Sequence, residues 1–237
     1  MAWTERTELL LGSEGLARLA GSTLAVVGCG GVGAFAAEML ARAGAGHLIL
    51  LDSDAVGDTN RNRQLLALTS TVGRSKVAVL SERLLDINPE LRIDRIEAFL
   101  DEDSVAALLD PYKIDFLVDA IDTLSPKICL IQYCLAKGIP MVSSMGAGAK
   151  CDATKVRLTD ISKSCYCPLA YMVRKRLHRL GIREGFLAVY SEELPHDESM
   201  RIEESRNKKS QVGTVSYMPA VFGCVCAQAA IRHITGI

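Results

Sequence analysis

The residues best suited to chemistry lie between positions 24 and 76. Gly28, Gly30, Gly31 and Gly33 form GCGGVG, directly after the apolar run 24–27 and directly before AFAAEMLARAG. Glycines at such a junction let the backbone turn sharply and approach a ligand, and the first helical N–H groups then point at an anion. Asp52, 19 residues beyond Gly33, has the type and place to accept from ribose hydroxyls. A dinucleotide would need no more than these. The chain continues, however, with Asp54, Asn60, Arg61, Arg63, Gln64, Arg74 and Lys76. Fixed cations close to a helix N-terminus suit a triphosphate and its pyrophosphate leaving group better than a dinucleotide. Arg63 and Lys76 are therefore assigned to the phosphates. Asn60 and Gln64, in the same polar segment as Asp54, are assigned to hydrogen bonds with phosphate or ribose.

These residues require a strand, a tight turn, a helix and a second strand to position them. Residues 24–27 and 47–51 read as buried parallel strands, and the helix between them ends at Gly44. Residues 76–86 are helix-periodic and stop near Asn88-Pro89. A strand over 91–99, a short helix over 103–109 and a buried strand over 116–121 follow, the last carrying Asp119 and Asp122 at its tip. A helix over 126–137 and a strand over 140–143 continue the alternation. The expected class is α/β: a doubly wound, Rossmann-like, mostly parallel sheet with helices on both faces. Ligands gather at the carboxyl ends of such strands, so Asp52 and Asp122 should share one edge.

The pattern changes after Gly148. Residues 1–148 read as the nucleotide-binding region, opened by a helix over 5–20. Residues 149–237 read as a C-terminal extension that completes the sheet and supplies the substrate side and dimer contacts, in one continuous domain. Its expected elements are a strand over 155–158, a basic helix over 169–180, a strand over 186–190, a long mobile loop over 192–212 and an apolar helix over 218–234.

Composition sets outer limits. Of 237 residues 49% are hydrophobic, enough for a sizeable core, but only 5% are aromatic, so that core must be aliphatic. Net charge is −1, so nucleic acid could be met only by a local patch. No apolar run approaches the ~20 residues that span a bilayer, so no membrane contact is expected. The start, MAWTERTELL, has no apolar signal-peptide region, and eight cysteines without such a signal imply reduced thiols in the cytoplasm.

The run GCGGVG, LLDSD, NRNRQ, TVGRSK and DAID (119–122) resembles the ubiquitin-activating-enzyme-like adenylating enzymes, the MoeB and ThiF superfamily. Within it, ERTELLLG, STVGRSK, DINPE and VSSMGAGAKCDATKVRLTDISKS look most like the tRNA threonylcarbamoyladenosine dehydratase branch. The similarity runs from about residue 5 to about residue 230 by motif inspection. It implies a homodimer that binds ATP and Mg²⁺, with Asp122 orienting the metal ion or the reacting phosphate. It implies that a basic residue near the N-terminus reaches the neighbouring subunit's nucleotide. Family members often carry two arginines three apart; Trp3 holds the first place here, so the role falls on Arg6. In this branch the threonylcarbamoyl carboxylate is adenylated, pyrophosphate leaves, and attack from within the same nucleoside closes a ring and expels AMP. No catalytic cysteine is needed. A sulfur-relay partner, a cysteine desulfurase, is a further implied contact.

Rival readings are an activator of a small sulfur-carrier or ubiquitin-like protein, an NAD-linked dehydrogenase, and a nucleotide-binding scaffold. Sulfur-carrier activators usually hold zinc with two CxxC pairs. This chain has Cys165-Tyr-Cys167 and Cys224-Val-Cys226 instead, so no zinc is expected. For RNA, Arg174, Arg176 and Arg179 on the basic helix and Lys208 and Lys209 in the long loop are the candidate phosphate contacts to a tRNA. Lys175, His178, Arg183 and Arg206 lie beside them. A solvated basic face is the competing reading, and no aromatic interleaving is expected there.

Overall fold

Strands that are apolar on both sides need helices on both sides. The computed structural model, which describes residues 2–196, 200–201 and 211–237, has that arrangement. Its main sheet comprises β1 (Thr23–Val27), β2 (His47–Leu51), β3 (Arg92–Ile96), β4 (Phe116–Asp119), β5 (Met141–Ser144), β6 (Val156–Asp160) and β7 (Leu187–Ser191). The helices are α1 (Glu5–Ala20), α2 (Gly33–Ala43), α3 (Lys76–Ile87), α4 (Val105–Leu109), α5 (Leu124–Lys137), α6 (Pro168–Arg179) and α7 (Tyr217–Thr235). The strand order is β3-β2-β1-β4-β5-β7-β6. Every pairing within this sheet is parallel except β6 against β7.

Successive side chains of a strand face opposite ways, and β1 divides accordingly. Leu24 and Val26 join the layer under α2, α3 and α7, whereas Ala25 and Val27 join the layer under α4, α5 and α6. The order reverses between β1 and β4, and Val27 is in register with both Leu51 and Asp119. The crevice expected at such a switch point therefore opens beyond Val27, between Asp52 and the turn after Asp119. Residues 149–237 add β6 and β7 to this same sheet.

Three local features differ from the sequence reading. First, α1 is interrupted at Gly12 (φ +73°, ψ 161°), a left-handed backbone that glycine adopts freely. The chain folds back there, so that Thr4 and Leu16 both approach Gly44. Second, the apolarity of α7 is spent inside its own chain. Met218, Phe222, Cys226 and Ala230 are buried against α2, α1, β4 and β5, so this helix does not by itself mark a subunit contact. Third, the stretch expected to be a long loop carries a short antiparallel ladder, β8 (Met200–Arg201) with β9 (Gln211–Val212). Residues 197–199 and 202–210 of that stretch lie outside the described residues.

No helix among the described residues is long and apolar enough to cross a membrane.

Candidate active site

The glycine loop is made by close backbone approaches. The Gly28 N–H donates to the Leu51 carbonyl at 2.8 Å and the Ala120 N–H to the Val27 carbonyl at 2.8 Å, which draws the tips of β1, β2 and β4 together. Gly28 has φ +91°, and a Cβ there would lie 2.9 Å from the Ala120 carbonyl atoms. A Cβ on Gly33 would lie 1.8 Å from the Gly28 carbonyl oxygen. From the other side, Pro219 of α7 would be 3.0 Å from a Cβ on Gly31. Gly33→Ala must therefore push α2 off the loop. We expect a loss of about 3 kcal/mol or more, read as a lower denaturant midpoint at unchanged slope.

Asp52 does more than wait for a ribose. Its two oxygens accept the Cys29 N–H at 2.6 Å and the Asp54 N–H at 2.8 Å, which clamps the glycine loop to the segment after β2. Burial raises its carboxyl above the usual range, opposed by the Lys76 ammonium and those two N–H groups. A carboxylate has about four lone-pair sites, so it can still accept from a ribose hydroxyl. Lys76 is the first residue of α3, which Ser75 caps by accepting the Ala78 N–H. The Lys76 side chain is only 7% exposed, and Nζ lies 2.7 Å from Asp54 Oδ2 and 4.0 Å from Asp52 Oδ1. The Lys76 N–H also donates to the Asp54 carbonyl at 3.0 Å.

The 57–64 segment wraps the loop. Asn60 accepts the Gly57 N–H at 3.0 Å, so its side-chain oxygen closes its own turn. Arg63 presents its carbonyl 3.5 Å from a Cβ on Gly31, but its Nη1 donates to the Thr59 carbonyl at 3.0 Å and Asn62 Oδ1 at 2.8 Å. Its carbonyl is thus beside the loop while its guanidinium is engaged with its own turn, whereas the sequence spacing assigns that guanidinium to phosphate. Gln64 is buried, its amide nitrogen is 3.5 Å from a Cβ on Gly30, and its Oε1 has no hydrogen-bond partner. An orphaned buried acceptor costs about 1–3 kcal/mol. An amino or hydroxyl donor of a nucleotide seated on the glycines would satisfy it. The cradle, the buried cation and this acceptor fit ATP.

Asp122 is exposed on the turn after β4. What holds that turn was not read from the sequence. Asp119 is fully buried: Oδ2 accepts Lys127 Nζ at 2.6 Å and Ser143 Oγ at 2.6 Å, and Oδ1 accepts the Ile121 N–H at 3.0 Å. Lys127 Nζ also reaches Ser143 Oγ at 3.0 Å. A lone charged residue in SPKICLIQ was the available signal.

Other assigned residues are not brought together here. Thr4 lies beside Gly44 at the C-terminus of α2. Arg6, exposed two residues on, is thus near the far end of a helix about 16 Å long from its own glycine loop. On α6, Arg174 is half-buried and donates to Ser164 Oγ, so it is structural rather than displayed. Arg176 and Arg179 are exposed, as are Lys175 and His178. Lys208, Lys209 and Arg206 lie outside the described residues. The expected lack of aromatics is corrected: Tyr171 (56% exposed) shares a stripe with Lys175 and Arg179, and Tyr166 (57%) stands just before the helix. Cys224 is exposed and Cys226 buried on α7, Cys167 is buried, and Cys29 is a buried packing residue whose thiol is pushed up by burial. Among the described residues the 165, 167, 224 and 226 thiols do not converge on one point.

A model of the ThiF family matches residues 5–237. The tRNA threonylcarbamoyladenosine dehydratase of Bacillus subtilis is 43% identical over 228 residues, 93% of this chain and 89% of that one. The chain belongs to the ThiF family. Among solved ThiF-like folds, the structure of the Escherichia coli tRNA N6-threonylcarbamoyladenosine dehydratase TcdA in complex with ATP superposes with a TM-score of 0.89. It is 35% identical and covers 98% of this chain and 93% of that one. The Escherichia coli molybdopterin-synthase adenylyltransferase is 35% identical over 153 residues, only 65% of this chain and 60% of that one. The likeness to the dehydratases extends over far more of the chain than the likeness to the adenylyltransferase. That difference favours the dehydratases.

Proposed function

We propose that the protein is an ATP-dependent tRNA threonylcarbamoyladenosine dehydratase. It adenylates the threonylcarbamoyl carboxylate next to the anticodon and lets the nucleoside close a ring on it, releasing pyrophosphate and then AMP. The whole-length likeness to enzymes of that name carries the reading. The glycine cradle, the Lys76 cation and the Gln64 acceptor support its nucleotide half. In this reading Gly28, Gly30, Gly31 and Gly33 seat the phosphates and Asp52 takes the ribose. Lys76 stabilises charge on the phosphates, and Arg63 joins it by turning from Thr59. Asp122 would hold Mg²⁺, which would supply further positive charge to the phosphates. Such a reaction asks mainly for alignment and fixed positive charge.

The test is nucleoside mass spectrometry of tRNA carrying threonylcarbamoyladenosine after incubation with ATP, Mg²⁺ and the purified protein. Loss of one water with stoichiometric AMP supports the reading. Unchanged nucleoside, with an adenylate formed instead on a carrier protein's C-terminus, would replace it with the sulfur-carrier reading.

The working form is a homodimer in the cytoplasm. Trp3, Leu9 and Leu10 are 42%, 82% and 81% exposed on the same arm as Arg6, an apolar surface suited to a second copy. If Arg6 completes the partner's site, mixing inactive Arg6→Ala and Lys76→Ala chains regenerates one intact site per mixed dimer. About a quarter of wild-type activity should then return; no recovery rules out a role for Arg6 in the partner's site. A sulfur-relay partner such as a cysteine desulfurase would meet an exposed thiol, of which Cys224 is an example.

The tRNA contact is assigned to the exposed face of α6. Replacing Lys175, Arg176 and Arg179 together by alanine should weaken tRNA binding and lower the salt slope by roughly one for each phosphate no longer neutralised. Filter binding at several salt concentrations measures this, and an unchanged slope marks the face as merely solvated.

A further inference from the structure

The carboxyl edge of the sheet holds a second cluster, built from residues that follow β5 and β7. Cys151 follows β5, and Glu193 and His196 follow β7, its hydrogen-bonded neighbour. One ligand atom from each, a thiol sulfur, a carboxylate oxygen and an imidazole nitrogen, lie within 4.8 Å of one another. Among the described residues no other trio of such side chains does so.

The backbone builds this grouping. Both Glu193 oxygens accept the Cys151 N–H at 3.0 Å, and Oε2 accepts the Asp152 N–H at 2.7 Å. The His196 N–H donates to the Ala149 carbonyl at 3.0 Å, and its Nε2 lies 3.3 Å from Glu193 Oε1. Buried Lys150 donates to the Ser191 carbonyl at 3.5 Å and to that of Glu193, which holds the residues after β7 in place. Ala149 takes φ +58°, a left-handed backbone that a residue with a Cβ adopts at a cost. The Glu193 side chain is 10% exposed and that of His196 61%, so a buried carboxylate faces an opening to solvent.

We propose that Cys151, Glu193 and His196 bind one divalent cation of the zinc class. Thiolate, imidazole and carboxylate together select Zn²⁺ over Mg²⁺ or Ca²⁺. Bond lengths of about 2.0–2.3 Å place ligand atoms of a tetrahedral site roughly 3.3–3.7 Å apart. Rotation of the exposed Cys151 and His196 side chains closes that difference. The Cys151 thiol gives its proton to solvent as the S–metal bond forms, and water takes the fourth position. The ion joins residues 149–152 to residues 193–196. This site is separate from the four-cysteine arrangement considered from sequence, and it does not depend on the dehydratase reading.

The experiment uses the full chain, stripped with a chelator and titrated with Co²⁺ and then Zn²⁺. One equivalent of Co²⁺ should bring up a thiolate-to-cobalt charge-transfer band that Zn²⁺ abolishes. Cys151→Ser should remove the band, and His196→Ala should weaken Co²⁺ binding by about tenfold or more. The Cys165→Ser/Cys167→Ser double variant should keep the band. Zn²⁺ should raise the melting temperature of the native chain but not of Cys151→Ser. No band, a band that survives Cys151→Ser, or one that disappears with Cys165 and Cys167 overturns the proposal.

Discussion

Lys76→Ala is expected to lower ATP–pyrophosphate exchange by about 10²–10³-fold, the usual cost of removing a preorganised charge that meets developing negative charge. The size follows from where the cation sits. Its side chain is 7% exposed, so water screens it little, and Asp54 and Asp52 hold Nζ in place before any substrate arrives. The fold should survive, because Asp52 keeps its two backbone N–H donors. Asp54 is 67% exposed, and Asp54→Ala should cost less than about tenfold. Exchange assays on both variants, with melting curves as controls, test this. Exchange within about threefold of wild type in Lys76→Ala would remove the residue from the site.

Lys127→Met should produce a large loss of stability. Its partner Asp119 and the lysine itself are both 0% exposed. Removing one member of such a pair leaves a buried charge uncompensated, at about 3–5 kcal/mol. For a chain of 237 residues that corresponds to a melting point lower by roughly 10 °C. The double variant Asp119→Leu/Lys127→Met should recover most of it. Activity should not recover with it, because the Asp119 oxygen that accepts the Ile121 N–H is gone and the turn bearing Asp122 loses its anchor. A melting point within about 2 °C of wild type in Lys127→Met would show the pair to be dispensable.

The glycine loop, the strands beside it and the alternation through β5 were legible in the sequence because each is signalled locally, by apolar runs and glycines within one strand–turn–helix unit. The edge carrying Asp52 and Asp122 followed from the parallel order alone. What was not legible depends on distant partners. Nothing near Arg174 announces Ser164 ten residues back, so the arginine read as displayed charge when its guanidinium is engaged. Nothing beside Lys127 in the sequence announces Asp119 or Ser143, which β4 and β5 bring to its ammonium. The apolar residues of α7 fit either a subunit contact or an internal cover, and only the packing against α2 decides. Periodicity likewise carries no information about which way a side chain turns: Asn60 closes its own turn on Gly57, and Arg63 donates to Thr59 and Asn62.

Pro219 backs Gly31, and a Cβ on Gly223 would meet the Val32 carbonyl oxygen at 2.4 Å, so α7 forms the rear wall of a loop encoded nearly two hundred residues earlier. A ribosome that has released only the first five strands therefore holds a glycine turn with nothing behind it. Competence to hold the nucleotide is therefore expected late in synthesis, once residues 217–235 have emerged and docked.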